Sequence, residues 1–333
     1  MSSDLNGYID LRGTALSTEN LQLRIDTRLY ESTFDEYPIH EAEGELLVTT
    51  RDLVFVDSFR ISWFENEFLL HGMLQYSDEI DLEIDCNLGN LDRYRNKLFV
   101  SEPAGYAAAR AHLSGLTADP DLTGSLVSDS LWIYGLYSSD FAASIDIDRF
   151  LNARQGQVSV KSRGGTVYDL KYDSLVAAIN TDSNLVYISD LSVTSKHADL
   201  SGTAIFDSER EPNRLWIDSV GLQLLDRSFY NQSQIVIDID SVGFSVREGS
   251  LGNESSRLSA NGLIGFDQTM DLVLSIDNVA IKPWVTLLTD SLVLAGDLSC
   301  DASLNGSFES PRFVLNGGID SLGRIARALV GLA

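Results

Sequence analysis

The residues that could carry chemistry are few and widely scattered. The four histidines are His40, His71, His112 and His197, and no HxxxH, HExxH or paired-carboxylate pattern surrounds them. A hydrolytic metal centre needs such ligand spacing. The sequence therefore predicts no catalytic residue and no metal site, and we expect the histidines at surfaces or in turns.

Two other residue types could bind ions or cofactors. Asp146-Ile-Asp148 and Asp238-Ile-Asp240 each place two carboxylates on one face of a strand, where calcium could bind, but no DxDxDG loop accompanies them. The outer face of a strand is the simpler interpretation. Gly164-Gly165 indicates a turn or bulge, because no GxxxxGK[ST] is present. Cys86 and Cys300 lack CxxC or Cys/His spacing, which predicts free thiols, and no cofactor is expected.

Composition limits the partners of the chain. Of its 333 residues 44% are hydrophobic, and 49 acidic against 24 basic residues give a formal net charge of −25. The apolar content excludes wholesale disorder, and the charge excludes nucleic acid as the natural partner, since phosphates would be repelled. The acidic excess indicates a solvated face, with divalent cations or a cationic partner as alternatives.

The sequence contains no recognisable targeting or spanning segment. Residues 1–7 show no basic stretch followed by an apolar core, so no signal peptide is expected. No run reaches 18 apolar residues, so we expect that this chain does not cross a membrane by itself and that any anchor lies outside it. An internal fragment of a longer protein is the favoured interpretation.

The elements that must position these residues are strands. Apolar and polar residues alternate around Leu82 and Ile84 and again from Ile235 to Ile239, which is typical of strands with one buried face. Asn261-Gly262 and Asn305-Gly306 predict turns between such runs. Hairpin is therefore expected to follow hairpin, with about 25 strands in all.

Helical periodicity is confined to three short stretches. These are approximately residues 91–98, 283–288 and 321–332. The sequence thus predicts an all-β fold: an elongated, curled, mostly antiparallel sheet that forms an open hydrophobic groove, with a few short helices. No Pro-rich or Ser/Gly-rich linker divides it, so residues 1–333 are expected to form a single elongated segment.

An internal repeat of about 190 residues relates residues 68–124 to residues 258–315. It preserves turn residues as well as apolar positions, which favours a true structural repeat over chance. The first copy contains Phe68-Leu-Leu-His-Gly72, Asp81-Leu-Glu-Ile84, Leu113-Ser-Gly115 and Pro120. The second copy contains Leu258-Ser-Ala-Asn-Gly262, Asp271-Leu-Val-Leu274, Leu304-Asn-Gly306 and Pro311.

The Leu-x-Gly…Pro phrases of both copies, at 113–124 and 304–313, resemble those of TamB/AsmA-like envelope proteins. The resemblance covers roughly residues 68–322 with gaps. It implies a curled β-sheet that conducts phospholipid acyl chains across the periplasm between inner and outer membranes and assists outer-membrane biogenesis. It further implies an inner-membrane anchor and an outer-membrane barrel protein as partners outside this chain, because neither the membrane helix nor a docking region is present.

The strands themselves identify the candidate lining of such a groove. A strand with one apolar face must cover it, and the few short helices cannot cover so many strands. A β-solenoid or β-sandwich adhesin that binds calcium or a protein remains an alternative, as does a polysaccharide-processing enzyme with two converging carboxylates. The predicted lining residues are Leu82, Ile84, Leu131, Ile133, Ile235, Ile237, Ile239, Leu272, Leu274 and Ile276.

Overall fold

The computed structural model of the chain describes residues 3–15, 20–34, 37–63, 66–89, 91, 104–133, 136–167, 170–225, 227–267, 269–282, 294–307 and 310–324. Within these ranges, 23 strands belong to one antiparallel sheet. The predicted all-β, mostly antiparallel architecture is confirmed, and the sheet is consistent with the predicted curled groove.

The strands alternate with short connections along the whole described chain. They are β1 (Ser3–Asp4), β2 (Gly7–Ala15), β3 (Gln22–Phe34), β4 (Tyr37–Thr49), β5 (Asp52–Trp63), β6 (Asn66–Gln75), β7 (Glu79–Leu88), β8 (Ala104–Leu116), β9 (Asp119–Ile133), β10 (Leu136–Ser138), β11 (Phe141–Asp148), β12 (Gln155–Val167), β13 (Leu170–Asp182), β14 (Leu185–Thr194), β15 (Ala198–Asp207), β16 (Asn213–Leu224), β17 (Arg227–Asn231), β18 (Ile235–Ile239), β19 (Gly243–Gly252), β20 (Arg257–Gly265), β21 (Thr269–Ala280), β22 (Leu294–Ser307) and β23 (Ser310–Arg324).

The chain divides into two compact units. Unit 1 comprises Met1–Tyr172 and Asn180–Ser183, and unit 2 comprises Asp173–Ile179 and Asn184–Ala333. In unit 1, β2 to β9 pair in chain order, and β10 and β11 share one position between β9 and β12. In unit 2, β14 to β16 and β19 to β23 pair in order, and β17 and β18 share the position between them.

In each unit, antiparallel pairing sends successive turns to opposite ends of the strands. We call one end the short-turn rim: it carries the turns that follow β4, β6, β8 and β11 in unit 1 and β15, β18, β20 and β22 in unit 2. None of these turns exceeds 6 residues. The opposite end is the long-turn rim, which includes the β7–β8 and β21–β22 connections of 15 and 13 residues.

Five strands contain a bulge that holds an aspartate. The pairing register shifts at Asp57 in β5, Asp129 in β9, Asp190 in β14, Asp218 in β16 and Asp277 in β21. All five side chains are exposed. Because an extra residue bends its strand and increases the local twist, these bulges bend the sheet within each unit.

The two repeat copies share a local geometry. Gly72 pairs with Leu82, and Gly262 pairs with Leu272. The two glycines have φ of 129° and 130°, and a Cβ at either would lie 2.1 Å from the carbonyl oxygen of the aspartate that precedes the paired leucine. Only glycine permits this φ and this close backbone approach, so both positions require it.

Two sequence predictions about local structure are wrong. Asn261-Gly262 lies inside β20, and Asn305-Gly306 lies at the end of β22 rather than in a turn. In β20 the positive φ of glycine serves close strand pairing, which the local sequence cannot distinguish from a turn. The helix predicted from residue 321 is replaced by strand up to Arg324, because β23 pairs with β22 to that point. Residues 92–98, 283–288 and 325–332 of the predicted helices lie outside the described residues.

Candidate functional site

One face of the sheet in unit 1 carries mainly apolar side chains. Leu82 lies opposite Leu113, and Ile84 lies opposite Leu70 and Ala111. Directly opposite residues of antiparallel strands project to the same face. The shared surface, which we call the apolar face of unit 1, therefore extends across at least β6, β7 and β8.

Unit 2 has an apolar face of its own. Ile237 lies opposite Val246, Val246 lies opposite Gly262, and Gly262 lies opposite Leu272. Leu272 in turn lies opposite Leu304. The register thus connects β18 to β22 on one surface, and it joins two predicted runs of lining residues, those of β18 and β21, on a single face.

The predicted lining residues with described side chains lie on these two faces. Leu131 and Ile235 are buried, with 4% and 9% of their surface exposed. Ile133 lies in β9 opposite Leu136, and its side chain is outside the described residues. The remaining lining residues are half-buried: Leu82, Ile84, Ile237, Ile239, Leu272, Leu274 and Ile276.

Sequence reasoning missed several members of these faces because bulges change the spacing. Ile188 and Leu191 lie three residues apart but share a face, as do Ile217 and Val220. Strict alternation would place the members of each pair on opposite faces. The signal that could have located them is an aspartate between two apolar residues, with Ser or Asn beside it, which recurs at the bulges of β14, β16 and β21.

Packing covers only part of each apolar face. In unit 1, Leu91, Ala107 and Leu131 form a buried cluster near the long-turn rim. In unit 2, Leu224, Phe229 and Val279 form the corresponding cluster. Elsewhere most described apolar-face side chains are half-exposed. The face is therefore packed at one rim and open across most of its strands.

The opposite face of unit 1 is charged. Asp85 accepts a hydrogen bond from Arg110 Nε at 2.5 Å, and Asp81 Oδ1 lies 2.7 Å from His112 Nε2. In the neighbouring strands, Arg60 pairs with a glutamate on each side. These side chains are largely exposed, and exposed ion pairs contribute little to stability, so this face favours solubility more than stability.

The charged face of unit 2 contains one buried carboxylate. Asp238 is 5% exposed and accepts a hydrogen bond from Arg214 Nε at 2.6 Å and another from Arg247 Nε. The Arg214 hydrogen bond is the main cause that lowers the pKa of Asp238 below its usual range. The guanidinium groups of Arg214 and Arg210 also lie 6.0 and 5.8 Å from the centre of the Trp216 ring. The carboxylate therefore ties β16, β18 and β19 together.

The two thiols are free, as predicted. Cys86 lies opposite Phe68 and Ala109, and Cys300 lies opposite Ile276, so both belong to the apolar faces. Burial raises the pKa of each thiol. Neutral thiols of this kind behave as small apolar side chains rather than as nucleophiles.

The described residues contain no group of three His, Cys, Asp or Glu side chains able to hold a metal ion. Ser138, Ser162 and Tyr172 form a buried chain of hydroxyl hydrogen bonds at 2.6 and 2.7 Å, ending on the carbonyl oxygen of Tyr137. These hydrogen bonds include no basic side chain. They fasten the short strand β10 to its neighbours.

A scan against protein-family models and searches of curated proteins and of solved structures returned no match to this chain. The resemblance to TamB/AsmA-like proteins therefore stays a prediction. Among the described residues, no helix has the length and apolar character required to span a membrane.

Proposed function

We propose that this protein binds phospholipid acyl chains along its apolar faces and serves as a lipid-transport scaffold of the cell envelope. The observation that carries the proposal is the half-exposed apolar surface joined by register across β18 to β22. An acyl chain on this surface would take the place of a second layer of protein.

Acyl chains fit this surface energetically. Each methylene removed from water contributes about 0.8 kcal/mol, so a two-tailed lipid would be held firmly. The attraction has no direction, and the lining is similar from strand to strand. A bound chain can therefore move along the face at little cost, which is the property that transport requires.

The location and partners belong to the same proposal. The resemblance supports a periplasmic position between an inner-membrane anchor and an outer-membrane barrel protein, both outside this chain. The acidic charge favours a lipid ligand recognised by its tails over a polyanion. The alternative is a β-solenoid or β-sandwich adhesin that binds calcium or a protein partner; the described residues contain no group of three His, Cys, Asp or Glu side chains able to hold a metal ion.

The test is quantitative mass spectrometry of lipid that co-purifies with the chain from a bacterial periplasm. Leu272→Glu introduces a charge on the apolar face, and Val273→Glu is the matched control on the opposite face, where Val273 is 49% exposed. We expect phospholipid with the wild type and with V273E, and a several-fold lower lipid-to-protein ratio with L272E. Lipid-free wild-type protein, or equal ratios in both variants, would overturn the proposal.

A further inference from the structure

The short-turn rim of unit 2 presents apolar side chains at its tips. Val242, in the turn after β18, is 58% exposed, and Phe266, in the turn after β20, is 54% exposed. The backbone N–H of Phe266 donates to the carbonyl oxygen of Val242 at 2.9 Å. The two turns are thus fixed side by side, and their apolar side chains stay at the rim.

An aromatic pair connects this rim to the apolar face. The rings of Phe266 and Phe244 lie 5.0 Å apart in an edge-to-face arrangement. Phe244 is 39% exposed and lies opposite Ile239 on one side and Ile264 on the other. Apolar surface therefore continues from the tip of the turn through Phe244 to the predicted lining residue Ile239.

The two rims of unit 2 differ in packing. At the long-turn rim, Leu224, Phe229 and Val279 are at most 3% exposed and pack with Leu222 and other apolar side chains. At the short-turn rim, Met270 is the buried residue of the apolar face, while the aromatic pair beside it remains exposed. An incoming acyl chain would meet three packed side chains at the first rim, whereas at the second rim it meets the exposed aromatic pair first.

We infer that Val242, Phe244 and Phe266 form the entry point at which an acyl chain passes onto the apolar face of unit 2. This entry point rests on the proposed function and adds to it the route by which an acyl chain reaches the apolar face. Exposed apolar patches at fixed positions mark sites of contact, and the ring faces give a chain end its first apolar contact before it reaches Ile239. The acyl chain therefore enters across the short-turn rim.

Unit 1 also has an exposed apolar side chain on a turn of its short-turn rim. Leu151 lies in the β11–β12 turn and is 51% exposed. Asp119 fixes this turn by accepting backbone hydrogen bonds from Leu151 and Asn152 at 3.1 and 3.0 Å. An exposed apolar side chain on a fixed turn is thus a feature of both units.

The rate of loading tests the entry point, and the amount bound at equilibrium tests the proposed function separately. The probe is NBD-labelled phosphatidylcholine in vesicles of unlabelled phosphatidylcholine, mixed with delipidated protein by stopped flow. The variants are Phe266→Ser and Val242→Ser at the rim. Tyr230→Ser is the control, because Tyr230 is an equally exposed aromatic residue, 59%, in β17.

We expect both rim variants to load at least about fivefold more slowly than wild type, with unchanged equilibrium binding, and Y230S to load at the wild-type rate. Wild-type rates in both rim variants would overturn the entry point while leaving the proposed function intact. Equal slowing in all three variants would also overturn it. Absence of probe binding to the wild type would instead contradict the proposed function, and the inference with it.

Discussion

At the scale of single residues, Asp238 makes the most deeply covered ion pairs of the described part of the chain. Its carboxylate lies under Arg214 and Arg247 and is almost fully covered, unlike the exposed acidic side chains of unit 1. Removing it would leave Arg214, which is 15% exposed, without its partner. The loss of charged hydrogen bonds at a covered site costs more than the loss of an exposed pair.

We predict that Asp238→Ala lowers the free energy of unfolding by about 1–3 kcal/mol. The control, Asp81→Ala, removes the exposed pair with His112 and should cost less than about 1 kcal/mol. Denaturant unfolding with far-ultraviolet circular dichroism measures both. Equal losses in the two variants would contradict the assignment of Asp238 as a structural contact.

The lowered pKa of Asp238 predicts in which direction the stability of the chain depends on pH. The pKa of Asp238 is lowered in the folded chain from the ordinary value of 3.8. The contribution of the Asp238 carboxylate to the free energy of unfolding is therefore complete above pH 3.8. It is lost as the pH falls through the lower pKa of the folded chain. The stability difference between wild type and D238A should be full at pH 7 and should shrink on acidification below 3.8. A difference that grows on acidification would refute this sign.

At the scale of elements, the fold depends on glycines that let strands approach closely. Gly72 and Gly262 occupy equivalent places in the two repeat copies, and both face the carbonyl oxygen of an aspartate across the strand pair. A methyl group at either place would collide with backbone, which cannot move away as a flexible side chain can. The nearby strand pairs would have to separate.

We predict that Gly72→Ala and Gly262→Ala each destabilise the chain by at least about 2 kcal/mol, because the required φ is strained and the Cβ has no space. Gly318→Ala is the matched control, since a Cβ there meets no atom within 4 Å. Urea unfolding compares the three variants. If G318A lost as much free energy of unfolding as the other two variants, close approach of the backbone would not explain the destabilisation.

The elements also show what the sequence could and could not predict. Alternation around Leu82 and Leu272 correctly predicted strands, because a sheet with one wet face imposes period two. The bulge of β14 hid the common face of Ile188 and Leu191, because an inserted residue changes the spacing. Asn261-Gly262 suggested a turn, since the local sequence cannot show that glycine is needed for close pairing with β21.

At the scale of the whole molecule, the chain separates its two kinds of surface. In each unit, the charged contacts described above, those of Asp81, Asp85 and Asp238, lie on the strand face opposite the apolar face. Among the described residues, six of the 14 buried apolar side chains form two small clusters, and the other eight lie outside them. The half-exposed apolar side chains that remain are the basis of the proposed acyl-chain binding.

The candidate site was predictable in kind but not in its boundaries. The alternating residues of β7, β18 and β21 indicated the apolar faces, because each lies in an uninterrupted run. The packed clusters near the long-turn rim include side chains from strands far apart in the sequence, such as Leu224 of β16 and Val279 of β21, and no local pattern reveals these. The exposed pair Phe244 and Phe266 depends in the same way on the neighbouring turns of two hairpins.

The most direct test of acyl-chain binding is site-specific photocrosslinking in β18. A benzophenone side chain replaces Ile237, on the apolar face, or its neighbour Val236, which lies opposite Trp216 on the charged face. After irradiation in cells, lipid attached to the purified protein is measured by mass spectrometry. Acyl-chain binding predicts abundant phospholipid adducts at position 237 and few at position 236. Equal adducts at both positions, or none at 237, would contradict it.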